Sequence, residues 1–67
     1  MIKEYTTVDK AMKAASKRSL FANLNGKDSQ YEVREWAGKW FAGYQGEMQE
    51  DYPFGRIIAQ YSAGYRI

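Results

Sequence analysis

The chain has 67 residues, a formal net charge of +2, and neither cysteine nor histidine. Its length suits one small domain, so we expect residues 1–67 to form a single compact domain of modest stability. The missing residue types exclude disulfides and thiolate metal sites, and they remove the commonest general base and the commonest metal ligand.

The first 24 residues contain the clearest helix signal. Residues 1–7 contain β-branched and aromatic residues in rough alternation, which suits a short strand. Thr6 or Thr7 can cap the helix that follows. A helix is predicted over about residues 8–18, with a narrow apolar face and a basic face opposite. The apolar face holds Val8, Met12, Ala15 and Ser19, and the basic face holds Lys10, Lys13 and Lys17, with Arg18 near its edge.

Residues 20–24 fit either the last turn of that helix or a second strand. Asn25-Gly26 is a strong turn signal, because both residues tolerate positive φ. A hairpin from residues 20–24 into residues 31–36 fits this signal.

The segment 31–45 holds five of the eleven aromatic residues, including both tryptophans. As a helix it would place Trp36 and Trp40 on one apolar arc, with Gly38 and Gly43 weakening it by about 1 kcal/mol each. As a hairpin, residues 31–35 would pair with 40–44 around Ala37-Gly38. We favour the hairpin, because most of these residues are strand formers.

In the hairpin, an even loop places Glu35 opposite Trp40 and fixes which side chains share a face. One face then resembles a core, and the other is amphipathic and expected to be exposed. The core-like face holds Tyr31, Val33, Glu35, Trp40, Ala42 and Tyr44, and the exposed face holds Glu32, Arg34, Trp36, Lys39 and Phe41.

The remaining residues are predicted in less detail. Residues 45–53 are a polar, acidic connection that Pro53 interrupts. Residues 54–61 suit a strand through Ile57-Ile58, although Phe54 with Ile57 would also line a helix face. Residues 62–64 form a turn-like break. The sequence thus predicts an α+β protein, with one helix packed on a small antiparallel sheet that includes a hairpin at about residues 31–44; the alternative is an all-α three-helix domain.

Catalysis, metal binding and cofactor binding are not expected. The serines have no histidine to activate them. Glu47, Glu50 and Asp51 are the one acidic group that could hold a divalent cation, but three carboxylates in a flexible polar stretch are more often a solvated loop. The amino terminus lacks a secretory signal and no apolar run approaches a membrane span, so we expect a cytoplasmic protein without a membrane partner.

Two binding functions remain. Trp36 and Phe41, with Arg34, Lys39 and Glu32 around them, have the composition of a protein-contact site, because large rigid rings and directional charges dominate such sites. The chain would then dock this aromatic face on a larger protein and block or modulate it. The alternative is a weak nucleic-acid or ribosome-associated protein that grips phosphates through Lys10, Lys13, Lys17 and Arg18. Self-association is a further expectation, because so short a chain gains stability from a partner.

Residues 38–48 resemble the Trp-x-x-Gly-aromatic stretch of ribosome modulation factor, which also follows a basic helix in that family. The family's Pro-Tyr element and its strong positive charge are missing here, and the match needs the helical reading of residues 31–45, so we do not assign the chain to it. In type, the chain looks like the small host-directed inhibitors of bacteriophages, which are short, aromatic-rich and without a catalytic set.

Overall fold

The computed structural model describes residues 2–51, 53 and 55–67. Met1 and Phe54, which the sequence analysis gave to the first and last predicted elements, lie outside the described residues. The elements follow in the order β1 (Lys3–Tyr5), α1 (Val8–Leu24), β2 (Gln30–Trp36), β3 (Lys39–Tyr44), α2 (Gln45–Asp51), β4 (Arg56–Ser62) and β5 (Tyr65–Arg66). The five strands form an antiparallel sheet in the order β1-β3-β2-β4-β5. The predicted α+β class is confirmed, and the three-helix alternative is wrong.

Helix α1 begins as predicted but ends six residues later than predicted. Thr7 is the N-cap, and its hydroxyl accepts a hydrogen bond from the backbone N–H of Lys10. Asn25 and Gly26 end the helix: the N–H of Lys27 bonds the carbonyl of Ala22, and the N–H of Gly26 bonds that of Asn23. Gly26 has a φ of 68°. This is a Schellman end, so Asn25-Gly26 terminates a helix and the predicted hairpin from residues 20–24 is wrong.

The β2–β3 hairpin has the predicted register. Glu35 lies opposite Trp40, and Trp36 opposite Lys39, across a two-residue turn of Ala37 and Gly38. Both turn residues have positive φ, which is the backbone of a type I′ turn. The helical reading of residues 31–45 is therefore wrong.

One face of the sheet carries α1 and the main core. Small residues let the helix lie close to the strands: Ala11 and Ala15 are buried against Val33, Ala42 and other side chains of the sheet. The sheet side of this cluster comprises Val33, Ala42, Ala59 and Tyr61, with Tyr5, Tyr31, Trp40 and Ile58 partly buried around it. The predicted inward face of the hairpin is confirmed for Tyr31, Val33, Trp40 and Ala42, whereas Glu35 and Tyr44 are only partly buried and lie outside this cluster.

The other face of the sheet carries α2, which the sequence analysis described as a polar connection. Met48 is fully buried, and a Cβ built on Gly43 of β3 would come within 3.1 Å of its sulfur. Helix α2 contacts β2 and β3 on this face. The sheet is therefore covered on both sides, and the predicted exposure of its second face is wrong for the residues near α2.

Candidate functional site

The predicted partner-contact residues separate into two groups. Trp36 remains 48% exposed, and Lys39 is exposed with its ammonium 3.8 Å from Glu4. Glu32, Arg34 and Phe41 are buried. The expectation that these three residues present an open surface is wrong, because the second face of the sheet is covered. Phe41 thus contributes to packing, and Trp36 and Lys39 are what remains accessible of the predicted site.

Glu32 and Arg34 form a buried ion pair beneath this cover. The Nε of Arg34 donates a hydrogen bond to Oε2 of Glu32, and both side chains are almost fully removed from solvent. The other carboxylate oxygen, Oε1, has no hydrogen-bond partner within the part of the chain that the structure describes. The pair lies inside the protein, so its two charges cannot orient a partner at the surface.

The predicted phosphate-binding residues also separate. Lys10, Lys13 and Lys17 are exposed along α1. Arg18 instead turns toward the sheet, where its Nη1 donates a 3.1 Å hydrogen bond to the carbonyl of Ala42 and its guanidinium lies 5.1 Å from the ring centre of Tyr31. The expectation that Arg18 extends the basic surface is wrong, because it attaches α1 to the sheet.

A surface that the sequence analysis missed lies at the C-terminal end of α1. Leu20, Phe21 and Leu24 are 43%, 54% and 70% exposed. Leu20 and Leu24 are the only leucines of the chain, so neither leucine is used to build the core. We call Leu20, Phe21 and Leu24 the helix apolar patch. The spacing of these three residues could have shown the patch in the sequence, because they fall on the same side as the lysines in a helix that continues to residue 24.

An open groove adjoins the helix apolar patch. It has a volume of about 420 Å³ and lies between α1 and the β4–β5 hairpin. Leu20, Met12 and Tyr61 give it an apolar lining, and Lys13 and Lys17 add positive charge at its rim. Tyr65, beyond the turn of that hairpin, is 79% exposed.

The turn of the β4–β5 hairpin is fixed to α1 by serine hydroxyls. Ser16 donates a 2.7 Å hydrogen bond to the carbonyl of Gly64, and Ser19 accepts one of 2.9 Å from the N–H of Gly64. Ser29 accepts a third, of 3.3 Å, from the N–H of Ala63. These three serine hydroxyls therefore have structural partners and position one wall of the groove.

One exposed hydrogen bond shifts two pKa values. Tyr44 donates a 2.7 Å hydrogen bond to Oδ2 of Asp28, and the N–H of Gln30 donates one of 3.1 Å to Oδ1. The bonds from Tyr44 and then Gln30 lower the pKa of Asp28 below its usual 3.8. The bond to the carboxylate, and its negative charge, raise the pKa of Tyr44 above its usual 10.0. The contact joins the α1–β2 connection to the end of β3.

The described residues include neither a metal-binding group of side chains nor a membrane-spanning helix. Among them, no group of three or more Asp, Glu, His or Cys side chains is placed to hold a metal ion, and Glu47, Glu50 and Asp51 form no such group. Across the same residues, neither helix is long and apolar enough to cross a membrane. Comparison with protein-family models, curated proteins and solved structures found no match for the chain.

Proposed function

We propose that this chain is a non-enzymatic binding protein of the cytoplasm that docks an apolar surface on a larger protein and blocks or modulates it. The observation that carries the proposal is the helix apolar patch. A chain short of aliphatic side chains builds its core from alanine, valine and aromatics, yet leaves both leucines and Phe21 exposed on one end of one helix. Clustered exposed apolar groups of this kind mark interaction sites.

The magnitudes favour a binding role for this patch. Burying one large apolar side chain is worth roughly 1.5–3 kcal/mol, so three of them can supply a substantial part of a protein-contact energy. The parts of these side chains that stay exposed to water add no apolar burial to the fold. The rigid helix that carries them also limits the entropy lost on docking.

The proposed contact surface differs from the aromatic face expected from the sequence. Trp36 and Lys39 remain accessible and keep a predicted contact role, but the centre of that face is buried. The helix apolar patch exposes three large apolar side chains within two turns of one helix, so we assign it the anchoring role and treat Trp36 as a second contact.

A second candidate is binding to nucleic acid or a ribosome through Lys10, Lys13 and Lys17, all exposed on α1. With Arg18 attached to the sheet, three cations remain, which neutralise few phosphates. Within the helix apolar patch Phe21 is the one ring on which a base could stack, whereas single-strand binding sites stack successive bases on several aromatic side chains. The protein partner is therefore the better-supported proposal.

The test is a pull-down from bacterial lysate, with and without nuclease, read out by the mass of the bound species. The baits are the wild-type chain, Leu24→Glu and the control Gln49→Glu, which makes the same charge change at an exposed position of α2. We expect wild type and control to retain a protein that Leu24→Glu loses. Capture of nucleic acid instead, or equal capture by all three baits, would reject the proposal.

A further inference from the structure

The outward face of α1 changes its chemistry along the helix axis. Residues seven apart lie almost in line on a helix, with a drift of about 20° per step. Lys10, Lys17 and Leu24 form one such row, and Lys13 and Leu20 form a second beside it. Each row therefore runs from lysine to leucine, so the face is basic in its first half and apolar in its last turns.

The groove beside α1 repeats this pairing of charge and apolar surface. Lys13 and Lys17 line the same cavity as Leu20 and Met12. The ammonium of Lys17 also lies 6.0 Å from the ring centre of Phe21, which ties the basic half of the face to the helix apolar patch. A ligand that covers the leucines must pass close to these ammonium groups.

We infer that the occupant of this surface is an acidic, apolar peptide segment of a partner protein, with its apolar anchors on Leu20, Phe21 and Leu24 and its carboxylates beside Lys13 and Lys17. The inference rests on the proposed function and names its partner by chemistry. Carboxylates at that position compensate the ammonium charges, and they also exclude basic partners, which gives specificity in addition to affinity.

A second copy of this chain fits the surface less well. Two copies of α1 packed along their full length in opposite directions would place the lysine half of each against the leucine half of the other. Packed in the same direction, they would bring lysine against lysine, and like charges in contact are destabilising. Asp9 is the one acidic residue of α1, so the helix cannot compensate its own lysines. The charge pattern therefore favours a different, acidic partner.

The experiment selects ligands from a display library of random peptides. A length of about 12 residues suffices, because the distance along the axis from Lys13 to Leu24 is roughly 16 Å at 1.5 Å per residue. Selection on wild-type protein is followed by depletion on Leu24→Glu, so that the retained peptides need the helix apolar patch. We expect these peptides to combine large apolar residues with an excess of Asp and Glu over Lys and Arg.

Charge reversal then tests the lysines directly. Lys13→Glu/Lys17→Glu should weaken a selected peptide at least about tenfold, and a peptide with Lys in place of its acidic residues should prefer this variant. The control is Lys3→Glu/Lys27→Glu, which makes the same change of net charge at two exposed positions outside α1 and should bind as wild type does. Circular dichroism of every variant verifies the fold.

The outcomes separate the inference from the proposed function. Peptides that need Leu24 but show no acidic excess, or bind the Lys13→Glu/Lys17→Glu variant unchanged, would overturn the acidic partner and leave the docking proposal standing. No peptide that depends on Leu24 would overturn both. Both would also be overturned if no such peptide is selected and the protein instead binds a single-stranded oligonucleotide or anionic lipid vesicles. That binding would have to be abolished by Lys13→Glu/Lys17→Glu.

Discussion

The buried hydroxyl of Ser19 accepts a 2.9 Å hydrogen bond from the backbone N–H of Gly64, and so joins the middle of α1 to the β4–β5 turn. The same hydroxyl donates a 2.8 Å bond to the carbonyl of Ser16, whose own hydroxyl reaches the carbonyl of Gly64. Both backbone groups of Gly64 are thus satisfied by one helix. This connection fixes the hairpin that forms one wall of the groove.

Ser19→Ala should destabilise the protein, because it leaves the Gly64 N–H without its acceptor in a part-buried position. The expected loss is about 1–3 kcal/mol in the free energy of unfolding, measured by urea denaturation. Asn23→Ala, at an exposed position of the same helix, is the control and should cause no loss. Equal stability of Ser19→Ala and wild type would mean that water replaces the hydroxyl at no cost.

The two β-hairpin turns predict stabilising substitutions. Ala37 and Ala63 have φ values of 53° and 52°, in the left-handed region that asparagine tolerates better than alanine. Ala37→Asn and Ala63→Asn should each raise the free energy of unfolding by about 0.5–1 kcal/mol. The two gains should add, because the turns lie at opposite ends of β2. Ala37 follows Trp36, the last residue of β2, and Ala63 follows Ser62, which pairs with Gln30 at the start of β2.

A matched control for these turns is Ala14→Asn. It makes the same change inside α1, where asparagine is the weaker helix former, and should lower stability by about 0.5 kcal/mol. Thermal and urea unfolding of the three variants measures the difference in sign. A loss of stability at either turn would contradict the left-handed backbone of its alanine.

These turns also show why part of the fold could be predicted from the sequence. Ala37-Gly38 between two runs of strand formers indicated an even loop, and an even loop fixes that Glu35 lies opposite Trp40. Local chemistry was sufficient there. It was not sufficient at Asn25-Gly26, because the same dipeptide suits a hairpin turn and a helix end, and only the surrounding hydrogen bonds decide between them.

The second face of the sheet could not be predicted, since its burial depends on α2. Glu47, Met48 and Glu50 are good helix formers, but the acidic residues around Met48 obscured the fact that this residue is buried. Because the sequence analysis did not predict that helix, the alternation of side chains along the two strands placed Arg34 and Phe41 on an open surface. With it, they are buried, so the candidate site moves from the sheet to α1.

The buried ion pair predicts a non-additive pair of mutations. Arg34→Met leaves the Glu32 carboxylate buried without its cation, which should destabilise by about 3–5 kcal/mol. Adding Glu32→Leu removes that charge, so the double variant should be more stable than Arg34→Met alone. A double-mutant cycle in urea measures the coupling. If the two losses simply add, the ion pair is not what holds the two side chains together.

The Tyr44–Asp28 hydrogen bond predicts a pH dependence with two limits. The pKa of Asp28 is lowered, so its contribution to stability is present above about pH 3.8 and is lost as pH falls through the folded-state value. The pKa of Tyr44 is raised, so its contribution is present below about pH 10 and is lost as pH rises through the folded-state value.

NMR titration of the Asp28 carboxyl group and ultraviolet titration of Tyr44 measure these pKa values. Tyr44→Phe should move the pKa of Asp28 back toward 3.8, although the bond from the Gln30 N–H keeps it from returning fully. An unchanged pKa of Asp28 in Tyr44→Phe would show that the hydrogen bond does not persist in solution.

The two tryptophans provide a matched pair of substitutions that separates fold from contact. Trp40 is partly buried against the core under α1, and Trp36 is 48% exposed on the other face. Trp40→Ala should lower the free energy of unfolding by about 3 kcal/mol, whereas Trp36→Ala should lower it by about 1 kcal/mol and keep cooperative unfolding. Similar losses in both variants would contradict the assignment of the rings to opposite faces.

Trp36→Ala also tests which surface anchors the partner. If the helix apolar patch is the anchor, Trp36→Ala should reduce the affinity for the captured protein only a few-fold. Leu24→Glu should instead abolish binding, because a charge within an apolar contact must be desolvated without a partner. Titration of both folded variants against the same protein measures this. Abolished binding by Trp36→Ala with normal binding by Leu24→Glu would return the anchor to the sheet face, where Trp36 and Lys39 remain exposed.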